Sequence, residues 1–452
     1  MKILLASPEV APFAKTGGLA DVAGALPGAL AALGHEVAIA MPLYGRIDLQ
    51  KLSKQPLLPD IRVSLPIGSR SMAVWRADLA RSDHHQAKLP VYLIQDDGLF
   101  NRPQLYGENG RDYPDNAARY AYFCLATLWM LKGLDWMPDV IHCNDWQTAL
   151  LPLYLAHHPQ IAADPQLSRI RVLFTIHNLS YQGLFERSTL DALGLPAALG
   201  NPEQLEFFGR INLLKGALVA SQRISTVSRQ YAREIQTAEF GCGLEGLLRH
   251  RADRLVGILN GIDTVQWNPA TDPALPAHYS RADKRDKALC KLRLQQYFGL
   301  PAEGRRPLLA AVSRLTGQKG VDLLAEVLPD LMSERVQFVL LGAGQPEYEE
   351  FFKLLAARYP GRVGVELGFN NDLAHLIEAG ADIFLMPSRF EPCGLNQLYS
   401  LRYGTVPIVR RVGGLADSIV NAASPESITS GKATGFVFGP YKARALREAI
   451  DR

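Results

Sequence analysis

Lys15-Thr16-Gly17-Gly18-Leu19-Ala20-Asp21-Val22, set just after the apolar run Lys2-Ile3-Leu4-Leu5-Ala6-Ser7, decides how this chain is read. The run predicts a buried first strand, and Leu19 to Leu33 predicts a helix rich in small residues. Paired glycines let backbone N–H groups come close to a ligand at a helix N-terminus, where the helix dipole favours an anion. Lys15 adds a mobile positive charge, and the combination suits a phosphate. Near the other end, Gly413-Gly414-Leu415-Ala416-Asp417 repeats the core of the motif, with Val412 after Arg410-Arg411 in the place of the lysine. Two such loops predict two similar lobes facing one charged ligand.

Short apolar runs alternate with helical patterns along the whole chain, the signature of parallel sheets wrapped by helices. Predicted strands include Asp139–Cys143, Arg171–Ile176 and Gln222–Val227 in the first half. In the second half they include Pro307–Ser313, Asp382–Met386 and Val406–Val409. The turn Asn260-Gly261-Ile262-Asp263 and the Pro-rich polar stretch that follows mark a break between the two sets. The expected organisation is an N-terminal lobe over residues 1–259, a hinge over 260–277 and a C-terminal lobe over 278–452. The fold class is α/β, with two doubly wound Rossmann-like lobes and a deep cleft between them. Such sheets bind ligands at the C-terminal ends of their strands, where both glycine loops fall.

A dinucleotide-binding oxidoreductase would place GxGxxG directly after the first strand. Here Ser7-Pro8-Glu9-Val10-Ala11-Pro12 follows it and cannot make that turn, and no GxxxxGK[ST] phosphate loop occurs. The length of 452 residues calls for two or three domains, and 48% hydrophobic with 21% charged residues is the balance of a soluble globular protein. A net charge of +3 gives no reason to expect nucleic acid or a membrane as a partner. Five scattered cysteines without a CxxC pair fit a reducing cytoplasm better than a disulfide framework or a zinc site. The N-terminus enters a strand at once, so neither a signal peptide nor a membrane span is expected.

Four further segments follow the first loop in order: His142-Cys143-Asn144-Asp145-Trp146, Thr175-Ile176-His177-Asn178-Leu179, Val312-Ser313-Arg314-Leu315-Thr316-Gly317-Gln318-Lys319-Gly320 and Pro387-Ser388-Arg389-Phe390-Glu391-Pro392-Cys393-Gly394-Leu395. Together with KTGGLADV they closely resemble the bacterial glycogen synthase and plant starch synthase family, over nearly the whole chain. That resemblance implies the GT-B fold and a retaining glycosyltransferase that moves glucose from ADP-glucose to an α-1,4-glucan such as glycogen. It also implies that Lys15, with Gly17, Gly18 and Asp21, contacts the sugar nucleotide near its diphosphate. Gly413 and Gly414 are then the opposing lobe's helix-start contact on the same ligand.

Arg314 and Lys319 bracket a turn past a strand, either as a solvated loop or as phosphate ligands, and arginine grips phosphate with two donors. In the family they neutralise the leaving diphosphate. Glu391 reads from the residues alone either as a helix N-terminal acid or as a group facing substrate. The resemblance puts it against the donor glucose, where it would stabilise positive charge at the anomeric carbon. Many related transferases carry a second glutamate eight positions on, but Tyr399 stands there, as in the glycogen synthase branch. His177 and Asn178 are implied to orient donor hydroxyls. Asp145 and Trp146 read equally as a helix cap with a core aromatic or as a sugar site. Gly241-Cys242-Gly243-Leu244 reads either as a loop approaching the acceptor glucan or as a simple turn.

No Asp-x-Asp pair occurs, so the expected reaction uses no metal and no cofactor, and Lys15, Arg314, Lys319 and helix N-termini meet the charge on the leaving ADP. Rival readings are a UDP-glucose-using relative, a glucan-binding protein without catalysis, and the oxidoreductase already disfavoured. Oligomeric state is open. Family members continue past this point into helices that cross back to the first lobe. A chain ending at Arg452 is therefore expected either to be shortened or to lack that clamp and close poorly.

Overall fold

The computed structural model describes residues 1–80, 88–108, 110–333 and 336–452. The chain divides into two compact units, one of Met1–Val227 with Ile235–Ile258, the other of Ser228–Glu234 with Leu259–Arg452.

The first unit is built on a nine-stranded sheet. Its order runs Leu255–Gly257, Arg223–Thr226, Arg171–Ile176, Val140–Asn144, Lys2–Ala6, Glu36–Pro42, Leu89–Gln95, Gly68–Leu79 and Leu58–Leu65. Neighbours are parallel from Leu255–Gly257 to Leu89–Gln95, and the last two strands are antiparallel. Lys2–Ala6 is the first strand and lies inside the sheet, so the order reverses beside it. Such a switch point opens a crevice at the strand C-termini. The helix Asn116–Gly133 is buried along nearly its whole length. Arg119 on it is fully buried and donates to the carbonyls of Leu99 (2.7 Å) and Leu105 (3.0 Å) and to Asn116 Oδ1 (2.6 Å).

The antiparallel pair at the edge was absent from the strands expected above. Its strand Leu58–Leu65 alternates buried and exposed residues, so it contains no continuous apolar run of the kind that marks a parallel strand.

The second unit carries a six-stranded parallel sheet in the order Val363–Leu367, Gln337–Gly342, Leu308–Val312, Ile383–Met386, Val406–Arg410 and Phe436–Phe438. Numbered within the unit this is 3-2-1-4-5-6, the dinucleotide-fold order, with its switch point between Leu308–Val312 and Ile383–Met386. Apolar layers cover both faces, one containing Leu294, Ile377 and Phe384, the other Leu324, Phe352 and Leu446.

Residues expected to form a free hinge pack into this unit. Trp267 is 5% exposed, and its ring lies between His375 (3.8 Å between centroids) and Tyr399 (3.6 Å), nearly parallel to both. Asp272 accepts a hydrogen bond from Tyr403 and sits 2.7 Å from His375 Nδ1. A Pro-rich polar stretch reads as linker because composition does not reveal that one tryptophan and one aspartate in it are core groups.

Candidate active site

In the first unit the sequence-predicted residues gather at the C-terminal ends of Lys2–Ala6, Val140–Asn144 and Arg171–Ile176. The helix Gly18–Ala32 begins directly after Gly17, whose backbone is extended. Lys15 Nζ lies 2.7 Å from Asp21 Oδ1. The glycine loop is held by Glu9, which sequence reading passed over. Its carboxylate accepts from the N–H of Thr16 (2.5 Å), the hydroxyl of Thr16 (2.6 Å), the N–H of Gly17 (3.3 Å) and the phenol of Tyr106 (2.6 Å). An anion therefore already sits at this helix entrance, supplied by the protein. Further along the first turn, the N–H groups of Gly18 and Leu19 have no acceptor within the helix.

Asp145 adopts φ 56°, ψ 176°, a region almost confined to glycine, at a cost on the order of 1–3 kcal/mol. Oδ1 accepts from the N–H of His177 at 2.7 Å, which ties two strand ends together. Burial pushes its carboxyl up to about 7, against the pull of the N–H groups of His177 and Asn178. Asn144 donates its amide to the carbonyls of Ala6 and His142, so its oxygen faces His177 Nε2 at 2.9 Å as an acceptor. The imidazole thus carries its proton on Nε2 and a lone pair on Nδ1. Burial pushes His177 down to about 3, with a smaller contribution from His142, so the ring is neutral. Asn178 Oδ1 accepts from the N–H of Ser180 and shapes its own loop. Trp146 is core: it packs on Tyr120 (5.2 Å) and Phe185 (5.6 Å).

In the second unit, Arg314 and Lys319 follow Leu308–Val312, and Glu391 follows Ile383–Met386. Glu391 is 5% exposed. Its Oε2 lies 2.7 Å from Lys319 Nζ and accepts from Ser388 Oγ at 3.1 Å. Arg314 is exposed on the same turn. Gly320 is required there: its φ is 72°, and a Cβ would stand 2.1 Å from the carbonyl oxygen of Pro387. This contact joins the Lys319 turn to the Glu391 loop.

Gly413 and Gly414 lie against the same loop. Added Cβ atoms would stand 1.9 Å from the Glu391 carbonyl oxygen and 2.2 Å from that of Cys393. Their N–H groups are engaged inside the protein, that of Gly413 by both oxygens of Glu234 (3.0 and 3.1 Å) and that of Gly414 by the Glu391 and Pro392 carbonyls (3.2 Å each). The geometry offers these glycines a different part from the expected one, namely bringing the helix start close under the Glu391 loop.

Residues 2–250 match the starch synthase catalytic domain, and residues 295–452 match the glycosyl transferases group 1 domain. The glycogen synthase of Anaeromyxobacter dehalogenans is 49% identical over the full chain and 91% of its own length. Glycogen synthase 1 of Methylococcus capsulatus is 48% identical, covering all of this chain and 89% of that one. The chain belongs to the glycogen and starch synthase family. Among solved structures, the catalytic domain of starch synthase IV from Arabidopsis thaliana, bound to ADP and acarbose, superposes with a TM-score of 0.90 at 35% identity, covering 100% of this chain and 90% of that one. A sucrose-phosphate synthase from Thermosynechococcus elongatus shares the fold, with a TM-score of 0.58 at 19% identity.

In this glycogen synthase-like chain, Tyr399 stands where the wider superfamily has its second glutamate, and its ring is stacked on Trp267 with 5% exposure. That position serves the core. Besides Glu9, sequence reading missed the parts played by Asn144, Glu234 and Ser388. Asn144 and Ser388 had a modest signal, a polar residue at or just past the end of an apolar strand, whereas Glu234 had none. Among the described residues no three His, Cys, Asp or Glu side chains are grouped to hold a metal ion. No helix among them is long and apolar enough to cross a membrane.

Proposed function

We propose that this protein is a glycogen synthase, transferring glucose from ADP-glucose to the non-reducing end of an α-1,4-glucan with retention of configuration in the cytoplasm. The observation that carries the reading is the pairing of buried Glu391 with part-exposed Lys319 at the switch point of the second sheet. Glycosyl transfer develops negative charge on the departing diphosphate and positive charge at the anomeric carbon. Lys319 with Arg314 answers the first charge, and Lys15 with the N–H groups of Gly18 and Leu19 adds to it. Glu391 answers the second as a fixed carboxylate in a site with little water, where such groups act most strongly. Ser388 fixes its orientation, so little reorganisation accompanies the reaction. Neutral His177 presents Nδ1 as an acceptor for a sugar hydroxyl, and Asp145 presents its second oxygen.

The test is incorporation of radiolabelled glucose into glycogen from ADP-glucose and from UDP-glucose. Higher kcat/KM with ADP-glucose is expected. Preference for UDP-glucose, or no incorporation from either, overturns the reading.

A further inference from the structure

Between Val227 and Ile235, both of the first unit, the chain gives residues Ser228–Glu234 to the second. The helix Arg229–Glu234 makes up nearly all of this segment. So short a helix has little stability of its own, and what holds it is the set of bonds it makes outside itself. Those bonds converge on the Glu391 loop and on the glycine turn beside it. Ser228 is fully buried, and its hydroxyl is used twice. Oγ accepts from the N–H of Tyr231 at 3.0 Å, which caps the helix, and donates its own proton to the carbonyl of Pro392 at 2.7 Å. At the other end Glu234, 7% exposed, takes the Gly413 N–H with both oxygens and accepts from the side-chain amide of Gln230 at 3.1 Å. The backbone N–H of Gln230 donates to Asp417 Oδ2 at 2.9 Å.

The backbone at Glu391 is therefore gripped from two directions. The Pro392 carbonyl receives Ser228 Oγ and the Gly414 N–H, and the Glu391 carbonyl receives the same N–H. Gly414 follows Gly413, whose N–H Glu234 fixes. Lys319 and Ser388 settle the direction of the Glu391 carboxylate, but they cannot settle where its Cα stands. Apolar packing would bury this loop without orienting its carbonyls, whereas hydrogen bonds are directional. A buried carboxylate committed to backbone N–H is also a costly way to stabilise a turn, because its desolvation must be offset. Both choices favour placement over stability.

We infer that Ser228 and Glu234 are positioning residues for Glu391, acting through the Pro392 carbonyl and the Gly413 N–H; this rests on the part given to Glu391 above. Stabilisation of a cationic anomeric carbon depends on a carboxylate already in place, and a displacement of about 1 Å can cost about 10²-fold in rate. Loss of either grip lets the Glu391 backbone move while the donor's other contacts stay as they are. The signature is a fall in kcat without a matching change in KM.

The experiment is a double-mutant cycle on glucose incorporation into glycogen from ADP-glucose, run well below the melting temperature of every variant. Ser228→Ala is expected to lower kcat about tenfold and leave the KM for ADP-glucose within about twofold of wild type. Ser228→Thr, which keeps the hydroxyl, should recover most of that loss. In a Glu391→Gln background the same Ser228→Ala change should alter kcat less than about twofold, because a residue that acts through Glu391 has nothing left to place. Glu234→Gln repeats the cycle from the other end of the segment, with a loss of about threefold, and decides the matter if Ser228→Ala does not fold. Equal kcat for wild type and Ser228→Ala overturns the inference. So does a loss that persists undiminished beside Glu391→Gln, which marks a general effect on the fold. No transfer by wild type overturns the reading of the protein itself, a different result from transfer to which Ser228 is indifferent.

Discussion

The loops Gly17–Asp21 and Gly413–Asp417 share five residues and a helix start, and the structure uses them differently. Each has its glycine N–H occupied by a glutamate from elsewhere, Glu9 for the first and Glu234 for the second. Beyond that the likeness ends. Asp21 pairs with Lys15 of its own loop, whereas Asp417 accepts from the N–H of Gln230 and anchors a short helix. A Cβ at Gly17 would meet nothing within 4 Å, while one at Gly413 would collide with the Glu391 carbonyl. The first loop keeps open space and a lysine; the second is a packing device, and its lysine comes from the 317–319 turn. A repeated motif therefore fixes a backbone shape and leaves the placement of charge to its surroundings.

Glu391→Gln should break the second half most severely. Turnover is expected to fall by about 10²–10³-fold, while the melting temperature moves by a few degrees at most. Steady-state kinetics with a thermal melt checks both.

The glycines give the sharpest contrast. Gly413→Ala must displace the Glu391 loop, at a cost on the order of 3 kcal/mol in urea unfolding. Gly17→Ala should stay within about 0.5 kcal/mol of wild type. Comparable losses at both positions would show that the loops are equivalent after all.

The carboxylates of the two halves differ in the same sense. Glu391 has a lysine at 2.7 Å, whereas Asp145 is held by backbone N–H groups beside a neutral imidazole. Asp145 titrates near 3.8 when unfolded and near 7 when folded. Its contribution to stability is thus full below about 3.8 and is lost as pH rises toward 7. His177 and His142, pushed down to about 3 and about 4 by burial, act in the opposite direction, and their contribution is lost as pH falls below 6.5. Asp145→Asn leaves the histidines unopposed. The loss of stability between pH 7 and pH 5 should deepen by about 2 kcal/mol in denaturant titrations at each pH. An unchanged pH profile would remove Asp145 from this balance.

Smaller effects separate the two loops by charge. Lys15→Gln is expected to raise the KM for ADP-glucose about tenfold with little change in melting temperature, consistent with loss of one phosphate contact. Last in size, Asp417→Asn should cost under about 1 kcal/mol and leave that KM alone, whereas Asp21→Asn should shift it by releasing Lys15.

The parallel architecture was legible because buried strands such as Lys2–Ala6 and Leu308–Val312 are continuous apolar runs between glycine-bearing loops. The motifs likewise placed Lys15, Lys319, Glu391, Asp145 and His177 at strand ends. Partners remote in sequence were not legible. Glu234 lies 179 positions before the glycine it caps, and Trp267 stacks on rings more than a hundred residues away. Local pattern carries no record of such pairs, since nothing about Glu234 in its own short helix distinguishes it from a surface acid. The same holds for Asp145, whose backbone strain depends on the fixed strand ends around it.

The division of the chain has a practical consequence for anyone who wishes to produce the halves separately. Residues 228–234 belong to the second unit although first-unit sequence resumes at Ile235. No single cut yields either unit whole. A fragment started at 278 loses the Trp267 plate and Asp272, and one started at Leu259 keeps them but lacks Glu234. An excised second half would need the 228–234 helix grafted back, through a circular permutation or an added linker, before its glycine loop could be expected to hold shape.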